Sequence, residues 1–128
     1  RFVRQNADLF EGGVVPVHVW LGTSVENQRV AFRAGQLCRV PARVRFLSCE
    51  PLLGQVRVEL NGIHWVIAGG ESGVKHRPVS LDWIRSLRDD CIRTGVPFFF
   101  KQVGGRTPKA NGRDLDGRTW SEYPAMAS

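Results

Sequence analysis

The amino-acid sequence predicts an α/β protein built from parallel strand–helix units, and three observations carry that prediction. Its apolar stretches are short, rich in β-branched and aromatic residues, and mostly continuous rather than alternating, as strands covered on both faces are. Between them, apolar residues recur every three to four positions, the period of a helix. A polar or charged residue also stands just past each strand, where parallel sheets collect their ligands.

The elements follow in order. Val17 to Gly22 reads as the first strand, ending in the turn-forming Thr23 and Ser24. Ser24 is placed to cap the next helix through its hydroxyl oxygen, with Glu26 adding favourable charge near the positive end. Val30, Ala34, Leu37 and Cys38 keep helical spacing up to Pro41. Val44 to Ser48 is the second strand, closed by Glu50-Pro51, and Trp65 to Ala68 is the third, running into Gly69-Gly70-Glu71-Ser72-Gly73. Ser80 and Asp82 open a second helix, carried by Leu81, Ile84, Leu87 and Cys91 and ending near Gly95. Pro97 to Phe100 is the fourth strand, and Asp116-Gly117 in the tail marks a tight hairpin.

Composition narrows the function classes. The chain has 128 residues, 42% of them apolar, which suffices for one domain with a real core. Its apolar runs are too short to cross a bilayer, and nothing in Arg1 to Phe10 reads as a secretory signal, so a soluble, cytoplasmic protein is expected. Cys38, Cys49 and Cys91 are far apart, with no C-x-x-C pair and no His at a ligand interval. A metal site or cofactor held by this chain alone is therefore not expected. The net charge of +6 comes from 15 Arg and 3 Lys. That excess suits phosphate contact and leaves nucleic acid open as a partner, against a simple solvated basic surface.

Candidate ligand-binding residues follow from strand-end placement: Ser24 and Glu26, Glu50, then Gly69, Gly70, Glu71 and Ser72, then Lys101 and Gln102. A carboxylate at Glu50 can accept a proton or bind a ribose or amino group, or it can pair with an Arg to hold a loop. The glycines at 69, 70 and 73 would let a ligand approach the backbone, or serve a plain turn. Neither the dinucleotide fingerprint nor the P-loop spacing is present. Lys75, His76 and Arg77, just ahead of the Ser80 helix start, are candidates for holding an anion. Cys49 reads as buried packing. Trp20, Trp65 and Trp83 read as core.

The ordered motifs V-W-L-G-T-S-V-E-N-Q, R-F-L-S-C-E-P-L-L-G, W-V-I-A-G-G-E-S-G with R-P, G-V-P-F-F-F-K-Q and L-D-G-R-T-W run from Val17 to Pro124. In this order the chain resembles a phage-associated family of unknown function, found in phages and bacteria and called after gene products thirty-seven and sixty-eight of mycobacteriophages. Its members are about twice as long, and their N-terminal half carries a cluster of closely spaced cysteines reminiscent of radical-SAM enzymes. The resemblance implies that residues 1–103 are the C-terminal half of a (β/α) barrel, TIM-barrel-like and radical-SAM-like, with 104–128 as a C-terminal extension. It implies that an iron–sulfur cluster and S-adenosylmethionine belong to a full-length relative, and that the missing N-terminal half is this chain's partner. Val103 stands where relatives commonly carry Trp, which puts a stacking role there in doubt.

Three functional expectations result. The chain is part of a radical-SAM-like enzyme and inactive alone; or it is a basic nucleic-acid-binding module without catalysis; or it is a truncated, non-functional phage remnant. If the strands are parallel, Ser24, Glu26, Glu50, Glu71 and Lys101 converge at one rim, and His18 and Arg45 stay away from it. A half barrel also leaves sheet edges open, so the isolated chain is expected to self-associate.

Overall fold

The computed structural model describes residues 19–125. Four strands form one parallel sheet in sequence order: β1 (Trp20–Ser24), β2 (Val44–Cys49), β3 (Trp65–Ala68) and β4 (Phe98–Phe100). Two helices, α1 (Phe32–Leu37) and α2 (Leu81–Thr94), complete a mixed α/β fold, with a two-stranded hairpin of β5 (Asp114–Leu115) and β6 (Arg118–Thr119) beyond it.

Alternation along the strands sorts the sheet into two unlike faces. Leu47, Cys49, Val66, Ala68, Phe98 and Phe100 are buried and share one cluster with Ala34 and Leu37 of α1 and Ile84, Leu87 and Cys91 of α2. Both helices therefore pack on the same side. The other face carries rings: Trp65 lies 5.8 Å from both Trp20 and Phe46 and 6.3 Å from Phe99, centroid to centroid. Gly22 has no side chain because the Phe46 ring fills the space a Cβ would need.

Residues 50–64 link β2 to β3 without a helix. Leu52, Val56, Leu60 and Ile63 bury themselves in place of one. This segment is tied to its neighbours by reciprocal bonds between Gln28 and the Arg57 backbone and by the pairing of Arg57 with Asp90, 3.0 Å apart.

Several boundaries differ from the sequence expectation for local reasons. β1 begins at Trp20 and runs through Thr23 and Ser24, because the ladder with β2 continues and Val25 N–H still reaches Ser48 O at 3.0 Å. Val17 and His18 lie outside the described residues. Ser24 is thus a strand residue, not a helix cap. The turn that follows is 3-10 over Gln28–Val30, entered at Asn27, and α1 comes only after it. Ser80 does precede α2, yet its side chain makes no capping bond. The C-terminal end is as read: Gly95 adopts φ 74°, and the N–H groups of Gly95 and Val96 satisfy the carbonyls of Ile92 and Cys91. Asp116 and Gly117, at φ 51° and 85°, make the tight turn between β5 and β6.

The tail is bound into the domain. Asp116 accepts from both Arg85 and Arg88 of α2, and Leu115 and Trp120 join the main core. Residues 120–122 then run antiparallel along β4, with Phe100 N–H on Trp120 O at 2.8 Å and Glu122 N–H on Phe98 O at 3.1 Å. The outer edge of β4 is thereby covered.

Candidate functional site

Because the four strands are parallel, their carboxyl ends share one rim, and alternation decides which side chains meet there. Ser24, Ser48 and Lys101 continue the rows begun by Trp20, Phe46 and Phe99 on the helix-free face. That face is aromatic toward the amino ends of its strands and polar toward the carboxyl ends.

Glu50 is the hub of the polar layer. Its Oε1 accepts from Ser48 Oγ at 3.4 Å, and its Oε2 lies 3.4 Å from Lys101 Nζ, so one carboxylate joins β2 to β4 across the end of β3. Gly69 sits between them, its missing Cβ position 3.6 Å from Glu50 Oε2 and 3.5 Å from Lys101 Cβ. Gln102 donates to Gly70 O at 3.1 Å and to Ser72 Oγ at 2.9 Å. An open depression of about 410 Å³ is lined by Ser48, Glu50, Pro51, Gly70, Glu71 and Ser72.

The glycines have an internal reason. A Cβ on Gly70 would fall inside the Val103 carbonyl, and one on Gly104 would lie 2.5 Å from Glu71 O. The chain needs both glycines because two backbone segments nearly touch beyond β3 and β4, held by Gly70 N–H on Gln102 O and Gly105 N–H on Glu71 O. Their openness serves the fold's own backbone.

Other predicted positions are drawn aside. Glu71 takes a fork from Arg77, 3.0 Å to Oε1 and 2.7 Å to Oε2, and also accepts Arg77 N–H. These bonds hold its carboxyl down at about 2, so it is ionised at any ordinary pH. Arg77 is thus engaged within its own loop, and the His76 ring lies 2.9 Å from Gly73 O. Lys75 remains exposed. Glu26 faces Arg33 at 3.8 Å at the end of β1, and Ser24 O accepts from Arg33 Nη1. Arg45, as expected, serves the opposite end, donating to Val40 O and Gly62 O. His18 lies outside the described residues.

Sequence reasoning missed two rim residues. Ser48 could have been found, since it is two residues before Glu50 and so on the same face, in a row otherwise held by Val44 and Phe46. Arg33 had no local signal; it reaches the rim because α1 folds back along β1.

The thiols fit an iron–sulfur cluster poorly. Burial pushes Cys49 and Cys91 up to about 12, and Cys38 Sγ points to Asn61 O at 3.6 Å. Among the described residues no three His, Cys, Asp or Glu side chains gather as a metal site. No described helix is long and apolar enough to cross a membrane.

Fold and rim together define a parallel α/β protein with a charged strand-end site. A protein-family model matches residues 1–124, and the chain belongs to that family, described as "Protein of unknown function (DUF5131)". No curated protein and no solved structure matches the chain.

Proposed function

We propose that this chain supplies the later strands of a (β/α)-barrel enzyme and that Glu50, Lys101, Ser24, Ser48, Ser72 and Gln102 form its ligand-facing rim. The observation that carries the reading is the layering of the helix-free face. Rings fill the lower part, as side chains fill a barrel interior, and the charged pair lies above them at the carboxyl ends, where barrel enzymes keep their chemistry. In this reading Glu50 is the proton acceptor or the partner of a ligand's amino or hydroxyl group, and Lys101 balances its charge.

The sequence resemblance adds a radical-SAM-like chemistry in a phage or mobile-element setting. The described cysteines do not suit the cluster, so its ligands would come from the N-terminal half of longer members, and the present chain is inactive alone. The test is to reconstitute a longer member with iron and sulfide and assay S-adenosylmethionine cleavage. A bound cluster with cleavage that falls at least tenfold in the Glu50→Gln variant is the expected result. If no member binds a cluster or cleaves the cofactor, the radical-SAM reading is lost.

A second reading, a basic nucleic-acid-binding module, draws on exposed Lys75, Arg106 and Lys109, on two loops joined by the Ser72–Gly105 bridge beside the rim. It requires binding to DNA or RNA that weakens steeply with salt. Undetectable affinity at low ionic strength would exclude it.

A further inference from the structure

Three dipeptides place an amide or acid side chain directly before glycine: Asn61-Gly62, Asn111-Gly112 and Asp116-Gly117. In each, the glycine nitrogen can close a small cyclic imide with the preceding side-chain carbonyl, and a residue without a Cβ leaves that approach open. All of these residues are exposed, so access to water does not separate the pairs. Their hydrogen bonds do.

At Asn111 both reacting groups are engaged. The carboxamide nitrogen donates to Gly104 O at 2.7 Å, and Gly112 N–H donates to Lys109 O at 3.3 Å. Asp116 is held by Arg85 and Arg88, which keep its carboxyl ionised, and a carboxylate anion resists attack by an amide nitrogen. Asn61-Gly62 differs from both. It is the centre of a turn closed by Ile63 N–H on Leu60 O at 3.0 Å, with Gly62 at φ 89°. The turn is fastened through its carbonyls: Asn61 O accepts from Cys38 Sγ at 3.6 Å, and Gly62 O accepts from Arg45 Nη1 at 3.1 Å. Among the described residues, neither the Asn61 carboxamide nor Gly62 N–H has a hydrogen-bond partner.

We infer that Asn61 is a site of spontaneous covalent modification, converting to aspartate and isoaspartate well before Asn111 or Asp116 reacts. Gly62 N attacks the side-chain carbonyl carbon of Asn61; the new C–N bond forms, the bond to Nδ2 breaks, and ammonia leaves with the proton that Gly62 gives up. Water then opens the cyclic imide at either carbonyl, giving aspartate or isoaspartate. Either product sets a new negative charge beside Glu59, whose Oε1 accepts Asn61 N–H at 3.3 Å. Isoaspartate also adds one carbon to the main chain in the link that joins β2 to β3. Glu50 and Lys101 take no part, so the modification stands or falls apart from the rim.

The test incubates the purified chain at pH 8, folded and in urea, and then digests it with trypsin at mildly acidic pH, which puts Asn61 and Asn111 on separate peptides. Mass spectrometry reads the exchange of amide for acid, and Asp-N, which cuts before aspartate but not before isoaspartate, sorts the products. In the folded chain Asn61 is expected to convert roughly tenfold faster than Asn111, the rate cost of first breaking about one hydrogen bond. In urea, where those bonds are lost, the two rates are expected to converge. Asn61→Gln, whose longer side chain would have to close a larger ring, is expected to leave its peptide unconverted over the same time. Conversion of Asn111 as fast as Asn61 in the folded chain would overturn the assignment. So would an Asn61 that converts only in urea, a preference for Asn61 that is equally large in urea, or isoaspartate forming first at Asp116.

Discussion

Gly70 and Gly35 show how one residue type carries opposite consequences. At Gly70 a methyl group would enter the Val103 carbonyl, so Gly70→Ala is expected to destabilise the chain by about 3 kcal/mol, the upper range for overpacking. Gly35 lies inside α1 with nothing near its missing Cβ, and Gly35→Ala is expected to stabilise by about 0.5–1 kcal/mol. Chemical denaturation of both variants checks the pair. His64 gives a pH prediction. Burial, and then the Arg45 charge, hold its ring below the usual 6.5, so the unfolded chain takes up its proton first. Its contribution is complete above pH 6.5 and is lost as pH falls through the lower folded value. Stability measured at pH 7.5 and at pH 5 is expected to drop more in the native chain than in His64→Gln, and equal slopes would remove His64 as the cause. The thiols give another: Cys49 and Cys91, at about 12 and buried, are expected to resist alkylation until unfolding, while Cys38 reacts in the native state.

Among the elements, α2 ties several separate parts of the fold together. Its apolar stripe meets the sheet, its C-terminal turn is closed by Gly95, and its one buried acid, Asp90, accepts from Arg57 Nη2 at 3.3 Å and from Arg93 Nη2 at 2.8 Å. Asp90 thereby fastens the helix-free link between β2 and β3 to the helix. Removing the acid leaves Arg57 without its partner in that link, and because both arginines stay largely exposed to water, Asp90→Ala is expected to cost about 1–2 kcal/mol in urea denaturation. The same helix holds the hairpin through Asp116, which two arginines keep ionised below the usual carboxylate range. The β1–β2 pair depends on a different device, the packing of Phe46 over Gly22.

At the scale of the molecule, the two sheet edges are unlike. Residues 120–122 cover β4, whereas among the described residues no strand pairs with the far side of β1. Self-association of the isolated chain is therefore expected to run through β1, at micromolar concentration, and to increase when Ser121–Ser128 is deleted and β4 is uncovered. Sedimentation of both chains checks this. A monodisperse, cooperatively melting monomer would count against the half-barrel reading.

Local chemistry by itself determined the strands, α2 and the hairpin turn. Short β-branched and aromatic runs, the three-to-four spacing from Leu81 to Cys91, and Asp116-Gly117 are all signals that neighbours along the chain create. The parallel direction was legible for the same reason, since continuous apolar strands need cover on both faces, and with it the placement of Glu50 and Lys101 at one rim. Only the tertiary structure decided what those residues meet. Glu71 turns to Arg77, Arg33 arrives at the rim on a folded-back helix, and Gly70 yields its space to Val103, because each contact depends on segments brought together across the sheet. The break between Ser24 and α1 was likewise decided by the ladder: Val25 finds its hydrogen bond at Ser48, and that cross-strand bond outweighs the local pull toward an earlier helix start.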